Sequence, residues 1–234
     1  MHKKFSIAHW DSVTDSDMFL VAFENSSDEF KDEISDIYFG HNFKWDNGQY
    51  GNVMNCDAGN TQIDNLFYIQ DTYGIPISLT LNDTIPEKEF LLSEDVQDLF
   101  VEYLRKFYDR GLRICTIGDT HIINTGRLQY EFPEMRWKNT VNNLVRDAQG
   151  VIDYAMLGYD TVLINRNLHR DLPELKRIKK AVDWFNEKYP ERRTLETSLL
   201  VSEGCILNCP WKATHDQHWG GGAYFSHFMD TCSA

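Results

Sequence analysis

The chain has 234 residues, 42% hydrophobic, 13% aromatic and 25% charged, and its 23 basic against 36 acidic side chains leave a formal charge of −13. That length and apolar content supply one substantial core and exclude a disordered chain, and the acidic balance disfavours binding to phosphate backbones. No apolar run approaches the ~18 residues of a membrane span, and MHKKFSIAHW lacks the apolar region and cleavage site of a secretory signal; the expected location is cytoplasmic, where the five cysteines suit metal or redox roles better than disulfides.

In chain order, residues 4–8 and 18–23 read as short strands. An acidic stretch at 28–36 leads into Ile37-Tyr38-Phe39, and 41–60, rich in Asn and Gly, reads as a loop carrying Cys56. A rhythm then sets in. Ile63, Leu66 and Phe67 have helical spacing up to Gly74, and 77–81 is a strand ending in Asn82-Asp83. Ser93 caps a helix with the apolar stripe Val96, Leu99, Phe100, Tyr103, Leu104 and Phe107, stopped by Gly111. Strand 112–117 ends in Gly118-Asp119-Thr120-His121, and 136–141 is a strand ending in Asn142-Asn143. Asp147 opens a helix carrying Val151, Ile152, Ala155 and Met156, which Gly158 ends. Strand 161–164 runs into Asn165-Arg166-Asn167. Asp171 with Glu174 resembles a capping box opening a helix that buries Leu175, Ile178, Val182 and Phe185. Strand 194–201, apolar and buried at Leu199, Leu200 and Val201, turns polar at Ser202-Glu203.

Helix and strand thus alternate at intervals of roughly thirty residues, the pattern of βαβ units on a parallel sheet, and the apolar strands suit burial on both faces. The expected fold is α/β, a single TIM-barrel-like (β/α) domain with an irregular segment at about 1–60 and a Cys/His/Gly-rich loop at about 203–234. It reads as shortened or incomplete, because an eight-unit barrel usually takes about 250 residues. A doubly wound sheet is the second choice, and no GxGxxG opens a helix to support its dinucleotide-binding form. Incomplete closure leaves sheet edges that a homodimer or a partner chain would cover.

The strand ends of a parallel barrel share one rim, where active sites sit, and here they bear polar clusters. The candidate catalytic residues are Glu203, His121, Asp119 and Arg166, and Asn82, Asn142 and Asn165 are candidates for binding substrate. Cys205 and Cys209 form a CxxxC pair, which a helical turn would set on one face. With Cys232 and His215 they are the candidate metal ligands; His218 and His227 are alternatives that favour zinc, and Cys56 or Cys115 could complete a set of four. Cys115, inside a strand, reads more readily as a small core residue. Lys212 stands where a CxxxCxxC triple would need its third cysteine, and Gly220–Gly222 lacks the form of a phosphate loop.

Three segments carry a resemblance. GYDTVLINRNLHRDLPELKRI (158–178), SLLVSEGCILNCPWKATHD (198–216) and WKNTVNN (137–143) resemble segments of the U32 collagenase-like peptidase family. The resemblance implies a U32-type (β/α) barrel, with putative peptidases and cytoplasmic iron–sulfur accessory proteins of oxygen-independent hydroxylation among the relatives. In the cluster proteins a CxxxC pair, matched by Cys205 and Cys209, belongs to a four-cysteine set; Arg192-Arg193 stands here where a further cysteine precedes the pair. The expected function is therefore a U32-like barrel protein with a metal or iron–sulfur centre on the CxxxC pair, an enzyme or enzyme accessory acting on a small-molecule or peptide-like substrate. The alternatives are a peptidase-like hydrolase without a cluster, with Glu203 or His215 as base, and a non-catalytic binding module.

Overall fold

The computed structural model of the chain describes residues 4–9, 16–52 and 57–201. Its strands are β1 (Phe5–Ala8), β2 (Ile34–Gly40), β3 (Asn42–Trp45), β4 (Gly48–Gly51), β5 (Ile77–Leu81), β6 (Ile114–Ile117), β7 (Arg136–Lys138), β8 (Thr161–Ile164) and β9 (Glu196–Leu199). Seven of them form one sheet in the order β1-β2-β5-β6-β7-β8-β9, every neighbouring pair parallel, and β3 and β4 form a separate antiparallel hairpin. The order follows the chain without reversal, so the sheet winds one way, as in a barrel, and does not reverse as a doubly wound sheet does. It curls into an incomplete (β/α) barrel with β1 and β9 as its edges.

The helices are α1 (Ser16–Glu24), α2 (Asp28–Asp32), α3 (Asn60–Tyr73), α4 (Lys88–Leu92), α5 (Glu94–Asp109), α6 (Thr120–Asn124), α7 (Arg127–Glu131), α8 (Ala148–Leu157) and α9 (Leu172–Lys188). Their starts follow from local chemistry. Ser93, Asp147 and Asp171 each accept a hydrogen bond from the backbone N–H three residues on. Gly158 closes α8 at φ 116°, a conformation that a Cβ would strain. Glu174 does not return to the start of α9 as a capping box would. It is buried, and it accepts from the Ala148 N–H at 3.0 Å, tying α9 to α8.

The core lies between the convex face of the sheet and the helices. Ile37, Phe39, Ile77, Leu79, Leu81, Cys115, Ile117, Trp137, Val162 and Ile164 are all buried there, and Phe39 meets Phe107 of α5 with ring centroids 6.2 Å apart. The strands are not apolar on both faces. Residues alternate across a strand, and the register puts Asp36 and Tyr38, Ser78 and Thr80, Thr116, Arg136 and Lys138, Thr161, and Glu196 and Ser198 on the concave face together with the apolar Ile114 and Leu163. An ordinary barrel fills that space with branched apolar side chains. Here Lys138 Nζ reaches Asp36 Oδ2 at 3.0 Å, joining β7 to β2 over the two strands between them. Only a curled sheet brings those two side chains together.

Several expectations are corrected. Residues 18–23 belong to helix α1, whose Phe19 and Phe23 are buried; Phe23 meets Tyr73 of α3 edge-on at 5.3 Å. The supposed loop at 41–60 contains the β3–β4 hairpin. Strand β7 stops at Lys138, and Val141–Asn143 is a 3-10 turn. Leu99 and Met156 are exposed, and Val101 takes a buried place in α5. Strand β9 is a short edge, with Val201 75% exposed, because no neighbour covers its outer side among the described residues.

Candidate functional site

Because every strand of the main sheet is parallel, the chain leaves β5, β6, β7 and β8 at one rim, and Asn82-Asp83, Asp119, Asn142 and Asn165-Arg166 follow those ends. The sharpest arrangement is at β6. Asp119 caps α6, its Oδ1 accepting from the Ile122 N–H at 2.9 Å. Its Oδ2 lies 3.1 Å from Nδ1 of His121. Asp119 is 2% exposed, whereas the His121 side chain is 79% exposed. A buried carboxylate oxygen that accepts from Nδ1–H holds the neutral imidazole in one tautomer and leaves the Nε2 lone pair facing solvent. This is the orientation of a general base.

Asp83 stands beside this pair. Burial pushes its carboxyl up to about 6, the Asp119 and Glu87 charges add to the effect, and a hydrogen bond from the Ile85 N–H (2.8 Å) opposes it. The two strand ends touch closely: a Cβ on Gly118 would lie 2.3 Å from the Asp83 carbonyl oxygen. The hairpin supplies the wall, with the Asp83 N–H donating to Gly51 O at 3.0 Å and the buried Tyr50 ring stacked on Phe90 at 4.4 Å.

The Asp83 shift has a thermodynamic consequence. The folded chain binds that proton more tightly than the unfolded one, so this group's contribution to stability declines as pH rises from about 4 to about 6 and is unfavourable above. Asp83→Asn keeps the acceptor for Ile85 and removes the charge. Urea unfolding of this variant is expected to show about 1–2 kcal/mol more stability at pH 7, after allowance for the partial exposure of the group, and little change near pH 4. A loss of stability at pH 7 would refute this account.

The remaining candidates divide. Arg166 Nη2 donates to Oδ1 of the buried Asn142 at 3.3 Å, so these two meet. The Asn165 Oδ1 accepts from the Asn167 N–H at 2.9 Å and serves the turn that follows β8. Asn82 is half-buried at the end of β5. Asp83, Tyr50 and Tyr159 were not among the candidates; the polar strand end signalled Asp83, and nothing local signalled the tyrosines. Arg192 and Arg193 bond Ala155 O and Glu134 O, and Glu134 lies just before the start of β7, away from the rim.

Glu203, Cys205, Cys209, His215, His218, His227 and Cys232, and also Cys56, lie outside the described residues. Among the described residues no group of three or more His, Cys, Asp or Glu side chains could hold a metal ion. Cys115 is buried in the convex-side core, where burial pushes its thiol up and away from the thiolate that a metal requires. The described residues therefore do not make a metal or cluster site. No described helix is long and apolar enough to cross a membrane.

No protein-family model and no curated protein matches the chain. Among solved structures, that of the U32 peptidase Mk0906 is similar with a TM-score of 0.63 at 12% identity, over 93% of this chain and 76% of that one. The fold is U32-like. At that identity the likeness concerns the fold alone and leaves the chemistry to the residues themselves.

Proposed function

We propose that this U32-like barrel protein is an enzyme in which His121, oriented by Asp119, moves a proton on a polar small-molecule or peptide-like substrate at the rim. The observation that carries the reading is the contrast within the pair: a carboxylate shut away from water that orients a largely exposed imidazole. Asp83, a carboxyl that burial pushes up to about 6 beside Asp119, is the complementary proton donor. Arg166, braced by Asn142, offers a guanidinium to a carboxylate or amide oxygen of the substrate. His121→Gln should lower turnover by about 10²–10⁴-fold with little change in stability; full activity in that variant would sink the proposal.

A metal or iron–sulfur centre on Cys205 and Cys209 is part of the reading, and no step here depends on it. Its support is the sequence: Cys205 follows the end of β9 at Leu199 by six residues, and Cys209 follows it at CxxxC spacing. Protein purified without oxygen should carry iron with sulfide, or zinc, and the double substitution Cys205→Ser, Cys209→Ser should remove it. Metal content unchanged by that substitution, or absent from the unsubstituted chain, would eliminate the centre and leave the acid–base reading standing. A second reading, hydrolysis of peptides without a cluster, is favoured by the similar structure's being that of a peptidase. Cleavage of a peptide library by metal-free protein, abolished in Glu203→Gln, would select it.

A further inference from the structure

The segment bearing the acid of the dyad is held by more bonds than a strand end requires. The Gly118 N–H donates to Leu81 O at 2.8 Å, and Gly118 O accepts from Asn143 Nδ2 at 3.0 Å. The Asp119 N–H donates to the Tyr50 hydroxyl at 3.1 Å, and that hydroxyl faces Leu81 O at 3.3 Å. The Tyr159 hydroxyl is shared between Ile117 O at 3.1 Å and Asp119 O at 3.3 Å. Every backbone polar group from the Ile117 carbonyl to the Asp119 carbonyl thus has a partner. Those partners come from β5, the hairpin, the 3-10 turn and the loop before β8, four places far apart in sequence. Strand ends at a rim ordinarily take such bonds from water; here Tyr50, Tyr159 and Asp119 are all buried.

Capping α6 does not call for this. A cap needs a side-chain oxygen on a backbone N–H, and Asp119 Oδ1 already provides it. What the additional bonds determine is where the second oxygen, Oδ2, sits. We propose that Tyr50 and Tyr159 are positioning residues that fix the backbone of Asp119, so that Oδ2 meets Nδ1 of His121 and keeps the ring in its Nδ1–H form with Nε2 outward. The inference rests on the reading of His121 as a base and adds the device that orients it. Burial pushes both phenols up, which favours the hydroxyl form that these bonds need. Tyr50 comes from the hairpin, outside the barrel's strand–helix alternation, and this gives that hairpin a purpose at the site.

The test is the tautomer of His121, read from ring ¹⁵N NMR of the full chain with the imidazole neutral and assigned by comparison with His121→Gln. The unsubstituted protein is expected to show the Nδ1–H form. Tyr50→Phe and Tyr159→Phe keep the rings and remove the hydroxyls; each should lower the ratio of Nδ1–H to Nε2–H by about tenfold, the scale of one weakened hydrogen bond to a charged group. Tyr108→Phe, remote from the rim, should leave it unchanged. A purely structural role would lower the melting temperature of the rim variants and leave the tautomer where it was, and that result overturns the proposal. An Nε2–H ring in the unsubstituted protein would instead remove the dyad itself.

Discussion

Replacing Lys138 by Met is expected to lower the unfolding free energy by about 3–5 kcal/mol, the cost of leaving one member of a buried ion pair without its partner. Lys138 and Asp36 side chains are 10% and 5% exposed, so water cannot take over the solvation of the stranded carboxylate. Ser35 Oγ, at 2.9 Å from Asp36 Oδ1, compensates only in part. The double variant Lys138→Met, Asp36→Asn should recover much of the loss, because it removes the charge as well as the partner. Urea unfolding of the two single variants and the double variant gives the coupling energy directly. A coupling near zero would mean that the pair is solvated and does not draw the sheet into its curl. The contact links β2 to β7 across the concave face of the open sheet.

Gly118→Ala is the second large effect. The new methyl would lie 2.3 Å from the Asp83 carbonyl oxygen and 2.7 Å from the Asn82 and Asp83 carbonyl carbons, all backbone atoms that cannot rotate aside. The ends of β5 and β6 must separate, at a cost of about 1–3 kcal/mol or more. That separation breaks the bond from the Gly118 N–H to Leu81 O and displaces Asp119 from Tyr50. The expected result is a lower melting temperature together with a loss of activity larger than the stability change explains. A variant that keeps both would show that the strand ends are free to move.

These effects mark where sequence was informative. Strands 77–81 and 161–164 stand out because runs of four or five residues, rich in β-branched side chains and bounded by turn residues, are too short for a helix, and the structure has β5 and β8 at those positions. The helix capped by Ser93 was legible from its local cap. Residues 18–23 were not, because an unbroken apolar block has no periodicity to separate strand from helix; packing of Phe23 against Tyr73 decides it. The hairpin was hidden by its Asn and Gly content, and its strands are held by aromatic contacts such as Phe43 on Phe100 at 5.3 Å. Asp119 and His121, two residues apart, could be singled out together. Tyr50, 69 residues from Asp119, could not.

By itself the sequence determined the alternation of helix and strand, and with it the parallel barrel and the rim where its polar residues gather, because caps, turns and apolar periodicity act within a few residues. The tertiary structure alone decided the rest: a concave face spanned by Lys138 on Asp36, 102 residues apart, and a strand end pinned by tyrosines from distant segments. Those contacts depend on how far the sheet curls. Curl is a sum of small twists over many strands, and no local pattern of residues records that sum.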